Sequence, residues 1–249
     1  MKDPKTIVIT GASSGIGEAL AEAYAGPGRL LALTGRDRER LDQVADTARA
    51  KGAEVAPEVI DVTDREAMAA WLTGLDDRQA VDLIIANAGI GEGGAKLDTL
   101  AEATAKTFDV NVHGVFNTIL PLLPRMRERG RGQLAINASL AAFRGLPAGV
   151  PYGASKAAVK AYGEGLRGAV ARHGVEVNVI CPGFVRSRMT DRNNFRMPFL
   201  MTADKAARII KRGLANDRGL ISFPWPTFAA VRLLTLLPAP LADALTSRR

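Results

Sequence analysis

Two side chains in this 249-residue sequence are spaced for proton transfer, Tyr152 and Lys156. Four residues apart on a helix, they lie on one face, one turn from each other. An unperturbed tyrosine has a pKa of about 10, too high for an efficient base near neutrality. A neighbouring ammonium stabilises the phenolate and lowers that value. A shift of about two or three units needs about 3–4 kcal/mol, within reach of one close, partly desolvated cation. Ser139 ends a strand-like run thirteen residues before Tyr152, and Asn111 lies in the helical stretch Asp109-Val110-Asn111-Val112-His113-Gly114. Strand, loop and helix can bring these groups to Tyr152. Singly, each has an ordinary structural explanation; together they make a site for moving a proton.

A second constellation can hold an anion. Thr10-Gly11-Ala12-Ser13-Ser14-Gly15-Ile16-Gly17 follows a short β-rich run and precedes a helix-forming stretch from Glu18 to Ala25. Exposed N–H groups at a helix N-terminus and the positive end of its dipole together cradle phosphate. Glycines let the backbone turn tightly and let the pyrophosphate of a dinucleotide approach. Three glycines alone would signal only a turn; their place between first strand and first helix points to a cofactor.

The next strand-like run ends in Thr34-Gly35-Arg36-Asp37-Arg38. A carboxylate here would accept hydrogen bonds from the adenosine ribose, whereas an arginine accommodates a 2′-phosphate. Arg36 therefore favours NADP(H) over NAD(H), with Ser14 and Arg38 as further contacts. The alternative is that Arg36 starts a solvated helix and Asp37 takes the ribose.

With these residues in place, the sequence resembles the short-chain dehydrogenase/reductase family, in its NADP(H)-preferring Tyr-x-x-x-Lys type. The resemblance rests on Thr10-Gly11-x-x-x-Gly15-x-Gly17, Asn87-Ala88-Gly89, Asn111, Ser139, Tyr152-x-x-x-Lys156 and Pro182-Gly183, in the family's order across nearly residues 5–223. It implies hydride transfer between a nicotinamide and a carbonyl or secondary alcohol, with Tyr152 as general acid/base. It further implies that Ser139 orients the substrate oxygen, Lys156 also holds the nicotinamide ribose, and Asn111 anchors a relay water. The cofactor would be lined by Gly11, Ser13, Ser14, Gly15, Ile16, Gly17 and Arg36. Asp61 and Val62 would meet the adenine, and Asn87, Ala88 and Gly89 would form a turn beside it. After the sixth strand come Pro182, Gly183, Val185 and Ser187, where Ser187 replaces the family's usual threonine. A regulator that senses NADP(H) without turnover is the competing reading; the intact tetrad argues against it.

The elements that must position these groups are legible as alternating runs. Apolar strand-like segments occupy 6–10, 30–34, 54–60, 81–86, 133–138, 175–181 and 219–223. Between them lie stretches long enough for crossover helices. Nearly continuous apolar strands alternating with helices predict a single-domain, doubly wound (Rossmann) α/β fold over 1–249, with a parallel seven-stranded sheet covered by helices on both faces. Segment 184–201, rich in Met and Phe, lies where the resemblance implies a substrate lid; these side chains suit an apolar or bulky substrate, or simply pack against the core. Its Arg186, Arg188, Arg192 and Arg196 suit an anionic substrate or the cofactor phosphates, or simply a solvated loop. Residues 224–249 form a C-terminal extension. Reductases of the fatty-acid-synthesis type end soon after the seventh strand, so this tail points away from a ketoacyl reductase and its common tetramer.

Bulk properties narrow the remaining classes. The net charge is +7, but the arginines are scattered rather than clustered, which argues against nucleic acid as a partner. The lone cysteine, Cys181, excludes an intrachain disulfide framework. No ligand cluster surrounds His113 or His173, so no metal is expected. No apolar run reaches membrane-spanning length and the N-terminus lacks a signal-peptide pattern, so the expected location is the cytoplasm. For the tail, packing or dimerisation is preferred to membrane-surface contact, with Val231, Leu233, Leu234, Leu236 and Leu237 expected to be buried in the protomer or at a subunit contact, and the resemblance implies a homodimer or homotetramer built through the helices carrying Asn111 and Tyr152.

Overall fold

The computed structural model of the chain describes residues 1–91, 97–193 and 195–246, leaving the side chains of Ala148 and Arg192 outside that description. Parts of the expected lid and tail, namely Asn194 and residues 247–249, thus lie outside the described residues. The strands are β1 (Thr6–Thr10), β2 (Leu30–Gly35), β3 (Glu54–Val59), β4 (Leu83–Ala86), β5 (Gly132–Asn137), β6 (Val175–Pro182) and β7 (Leu220–Phe223). The helices are α1 (Gly15–Tyr24), α2 (Arg38–Ala50), α3 (Arg65–Arg78), α4 (Leu100–Phe108), α5 (Gly114–Ile119), α6 (Leu123–Glu128), α7 (Val150–Val170), α8 (Ala203–Ala215), α9 (Trp225–Leu236) and α10 (Ala239–Thr246).

All seven strands are parallel and lie in the order β3-β2-β1-β4-β5-β6-β7. Every residue of β1, β2, β4 and β5 is buried, which is why these strands show no apolar–polar alternation. The edge strands β3 and β7 are partly exposed. Pro57 sits in β3, on the edge, where a missing N–H can be tolerated. β4 begins later than expected because Asp82 has another task. Its carboxylate accepts the backbone N–H groups of Lys5 and Thr6 and fixes the start of β1.

The sheet separates two cores. On one side Ile7, Ile9, Leu31 and Leu33 meet Leu20 of α1, Leu41 of α2 and Ile210 of α8. On the other, Val8, Ile84 and Ile136 meet Met68 of α3, Val115 of α5 and Val159 of α7. β1 neighbours both β2 and β4, so strand order reverses there. The crevice at the strand C-termini beside that switch point is where open α/β sheets take ligands.

One element departs from expectation. Asn111 sits not in a regular helix but in a single π turn, Asp109–His113, where the Gly114 N–H reaches the Asp109 carbonyl. In the tail, Val231, Leu234 and Leu237 are half-buried, but Leu233 is 63 % and Leu236 76 % exposed, so the protomer alone does not bury them. α9 is apolar on all sides. Its Phe228 packs edge-on against Phe143, at 5.6 Å between ring centres, and its opposite side faces outward. Among the described residues, no helix is long and apolar enough to cross a membrane.

Candidate active site

β1 ends in the glycine loop. Gly11 and Gly15 adopt φ of 65° and 61°, a region that side chains disfavour. Gly17 is required by space: a Cβ there would lie 2.2 Å from the Gly11 carbonyl oxygen. Helices α2, α3 and α8 are each capped by a side chain, from Asp37, Asp64 and Thr202. α1 is not. Its N-cap, Ser14, makes no side-chain cap bond; the Gly15 N–H meets the Glu18 carboxyl, and the next amides, Ile16 among them, are left for a ligand in the crevice. Together, the glycine turn and uncapped helix fit the pyrophosphate of a dinucleotide.

Beside this loop is a cleft of about 500 Å³ lined by Ser13, Ser14, Gly15, Arg40, Arg186 and Arg188, among others. Ser13 sits beneath Gly35, where a Cβ would come within 3.0 Å of its Oγ. Ser187 is brought against Gly15, its Cβ 2.9 Å from where a side chain would begin there. Arg36 projects into solvent 3.8 Å from Asp61, and Asp61 also accepts from Thr63. The guanidinium that α2 contributes to the cleft is instead that of Arg40, a residue not singled out from sequence. The available signal was its position one helical turn beyond Arg36. Asp37 is fully engaged: it accepts the Arg40 N–H at 3.1 Å and pairs with the Arg40 guanidinium at 2.7 Å.

The floor of the crevice is a hydrogen-bonded chain. The Asn87 side-chain amide donates to the carbonyls of Thr10 and Gly11, at 3.0 and 3.2 Å. The Asn87 and Ala88 N–H groups both donate to Thr10 Oγ1 at 3.1 Å. Asn137 Nδ2 donates to Asn87 Oδ1 at 2.8 Å, and the Asn137 carbonyl accepts from Lys156 Nζ at 2.8 Å. Gly89 leaves room at this end: a Cβ there would sit 3.1 Å from Asn111 Oδ1 and 3.3 Å from Lys156 Nζ. Asn111, Gly89 and Lys156 are therefore neighbours. Thr10, the first residue of the glycine motif, and Asn137, not singled out from sequence, support the site.

The Asn111 side chain is completely committed. Its Oδ1 accepts the Ile90 N–H at 2.8 Å, and its Nδ2 donates to the Ile90 carbonyl at 2.9 Å and to Ser155 Oγ at 3.0 Å. Ser155 in turn donates to the Tyr152 carbonyl at 2.8 Å. These bonds tie the π turn to α7, and they leave only the Asn111 backbone for a water.

Pro151 lies in the first turn of α7, where a missing N–H is harmless. Ser139 N-caps the short 3₁₀ turn Leu140–Ala142, accepting the Ala141 N–H at 3.1 Å. The Tyr152 hydroxyl is enclosed beside it. Burial raises the phenol pKa, and interaction with Ser139 acts in the opposite direction. Lys156 Nζ is 5.8 Å from the Tyr152 ring centre, and burial pushes its pKa down to about 8. In the chain alone desolvation outweighs the Ser139 bond, so the phenol lies above its ordinary value.

The comparisons with known proteins agree with this geometry. Residues 5–197 match the family model described as short chain dehydrogenase. An uncharacterized oxidoreductase of Myxococcus xanthus is 39% identical over 246 residues, covering 98% of this chain and 97% of that one. The chain belongs to the short-chain dehydrogenase family. Among solved structures, a family member from Burkholderia phymatum in complex with NAD superposes with a TM-score of 0.85, at 29% identity, over 99% of this chain and 96% of that one. A short-chain dehydrogenase from Sphingobium yanoikuyae in complex with NADPH gives 0.82, at 26% identity, over 94% and 97%.

Other residues of this short-chain dehydrogenase expected at the site are placed as follows. Val62 and Val185 are turned into the two cores, and their carbonyls accept from Asn117 Nδ2 at 2.9 Å and Thr190 Oγ1 at 3.1 Å. Pro182 closes β6, and Gly183 lies against Pro224. Gly91, not anticipated, separates Met189 of the 184–201 segment from the Tyr152 ring, with a Cβ there 3.1 Å from the Met189 sulfur and 3.8 Å from Tyr152 Cδ2. Cys181 is buried and its thiol pKa is pushed up to about 12, as expected for an inert packed thiol. Among the described residues, no group of His, Cys, Asp and Glu could hold a metal ion.

Proposed function

We propose that this short-chain dehydrogenase is an NADP(H)-dependent enzyme acting on a carbonyl/secondary-alcohol pair, with Tyr152 as its general acid/base. The observation carrying this reading is the convergence of Ser139, Tyr152 and Lys156, with Asn111 behind them, at the strand ends beside an uncapped glycine-loop helix. A nicotinamide dinucleotide bound along Gly11–Gly17, Asn87–Gly89 and Pro182–Ser187 would supply or accept the hydride. In reduction, Tyr152 donates its proton to the substrate oxygen; in oxidation, it takes that proton back. Ser139 donates to the same oxygen and orients it. Lys156, held by Asn137, holds the ribose and places positive charge near the phenol. The positive ring of an oxidised nicotinamide would add to that charge and favour the phenolate.

NADP(H) is favoured because Asp37 is committed to Arg40 and the α2 N-terminus. No free carboxylate therefore stands at the ribose position to select NAD(H), while Ser13, Ser14, Arg36 and Arg40 supply a basic, hydroxyl-rich edge for a 2′-phosphate. The segment 184–201 acts as lid, and its Met189 and Phe195 favour an apolar or bulky substrate in a cytoplasmic enzyme. α7 presents Ala157 and Ala161 for close helix approach in a homodimer or homotetramer. The test is a screen of ketones and secondary alcohols by NADPH absorbance, repeated with Tyr152→Phe. Turnover unaffected by that substitution would overturn the reading.

A further inference from the structure

Fifteen large apolar side chains are markedly exposed among the described residues, and nine of them fall in two segments. Met189, Phe195, Phe199 and Leu200 follow β6; Trp225, Leu233, Leu236, Leu241 and Leu245 follow β7. β6 and β7 are adjacent, so both segments leave the same end of the sheet, and Gly183 and Pro224 touch where they begin. The concentration is too local to be the scattered apolar exposure of an ordinary surface. On α9, Trp225, Leu233 and Leu236 recur at i, i+8 and i+11, which is one helical face. The inner face is already used by Phe228 against Phe143. α9 is therefore apolar towards the protein and apolar towards the outside, and the outer face needs a cover of its own.

The charges beside this surface select the cover. Arg186, Arg188 and Arg196 are exposed on the first segment, and among the described residues none of them is in an ion pair. Arg232 is exposed on α9, next to the apolar face. Of the acids, Asp191 is exposed, and Asp243 is held by Arg144 at 2.8 Å. The whole chain carries +7. A second copy seated on this face would bring its arginines against their own copies, whereas an anionic bilayer surface attracts them.

We propose that the exposed apolar residues following β6 and β7 form a docking surface for an anionic lipid membrane. Trp225, Leu233 and Leu236 enter the boundary between headgroups and acyl chains, and Arg196 and Arg232 meet lipid phosphates. α9 lies in the plane of the interface rather than across it. The surface shares Met189 and Phe195 with the proposed lid, so the test alters only its α9 residues and reads vesicle binding rather than turnover.

The test is co-sedimentation of the full chain with vesicles of phosphatidylcholine alone and of phosphatidylcholine mixed with phosphatidylglycerol. Binding is expected to the mixed vesicles, weakened by salt, and reduced at least about tenfold in Leu233→Ser/Leu236→Ser. In a Trp71→Phe background, Trp225 emission should shift to shorter wavelength when mixed vesicles are added. Absence of binding to mixed vesicles, or equal binding to neutral ones, overturns the proposal. So does a Leu233→Ser/Leu236→Ser variant that changes oligomeric state by light scattering but not sedimentation, since the face would then be a subunit contact.

Discussion

Lys156 Nζ donates to the backbone carbonyl of Asn137 at 2.8 Å from a position only 3 % exposed. The bond joins α7 to the end of β5. Asn137 continues it to Asn87, and Asn87 to the first glycine of the loop. An ammonium at the centre of the site and the backbone of the glycine loop are thus parts of one hydrogen-bonded chain. No carboxylate partners that ammonium among the described residues, so a neutral carbonyl compensates its burial only in part.

A pH dependence of stability follows from this. Burial lowers Lys156 from 10.5 to about 8 in the folded chain. Above about pH 10.5 the amine is neutral whether the chain is folded or not, and the burial penalty is absent. Between about pH 10.5 and 8 the unfolded chain takes up the proton and the folded chain does not, so stability is lost as pH falls, and the loss is complete below about 8. The full difference is about 3 kcal/mol. Cys181 and Tyr24, both raised by burial, act in the opposite direction at high pH. The clean measurement is therefore the stability of the unmodified chain minus that of Lys156→Met, from urea unfolding between pH 7 and pH 10.5. That difference should rise with pH across the window; a flat difference would show that Lys156 does not titrate there.

Glycine substitutions should separate positions required by space from positions that are free. Gly17→Ala puts a Cβ 2.2 Å from the Gly11 carbonyl and 2.7 Å from Asn87 Nδ2. It should destabilise the chain by about 1–3 kcal/mol and abolish dinucleotide binding. Gly165→Ala, in α7 with nothing within 4 Å, should stabilise by about 0.5–1 kcal/mol and leave binding unchanged. Thermal unfolding and a dinucleotide titration check both. Normal binding by Gly17→Ala would mean the loop does not hold the ligand.

What the sequence revealed and what it concealed have physical causes. Strands buried on both faces appear as continuous apolar runs, so Ile7–Ile9 and Leu83–Ile85 were plain. Asp82 looked like part of a strand because its neighbours are apolar; its bonds to Lys5 and Thr6 depend on residues far away in sequence. The helical character of residues 109–113 was legible, but the π turn at Asn111 was not, because one extra residue per turn barely disturbs an apolar pattern. Which tail leucines the protomer itself covers was not legible. Leu233 and Leu236 are indistinguishable in sequence from core leucines, and only the packing of α9 shows which side of it is covered. Arg40 escaped notice because the α2 register, set by the Asp37 cap, decides which arginine lines the cleft.

Cofactor choice should depend on two arginines rather than one. NADPH should bind more tightly than NADH. Arg40→Ala should weaken NADPH about 10- to 100-fold, the value of one charge-assisted hydrogen bond, with little change for NADH. Arg36→Ala should act in the same sense, and less strongly if its present position near Asp61 persists with ligand bound. Isothermal titration with both dinucleotides decides this. Equal affinity of the unmodified chain for the two would remove the basis for an NADP(H) enzyme.

Tyr152→Phe tests the chemistry directly. The ring, its contact with Gly91 and the backbone bond from Ser155 survive the change, so folding and dinucleotide affinity should be preserved. The hydroxyl that exchanges the proton is lost, and turnover should fall by at least about 10²–10⁴-fold. Ser139→Ala should lower kcat more than it raises KM, because its bond to the substrate oxygen strengthens as charge develops there. Lys156→Ala should damage both kcat and dinucleotide affinity, since it removes a charge and a ribose contact together. Burial raises the phenol pKa in the chain itself. The oxidative rate should therefore climb with pH, since the phenolate is the base, and any half-maximum below 10 measures how far the bound oxidised nicotinamide and Lys156 together pull the phenol down. Single-turnover hydride transfer isolates the step from product release. If Tyr152→Phe transfers hydride at nearly the unmodified rate, the proton comes from elsewhere, and the grouping of Ser139, Tyr152 and Lys156 serves another purpose.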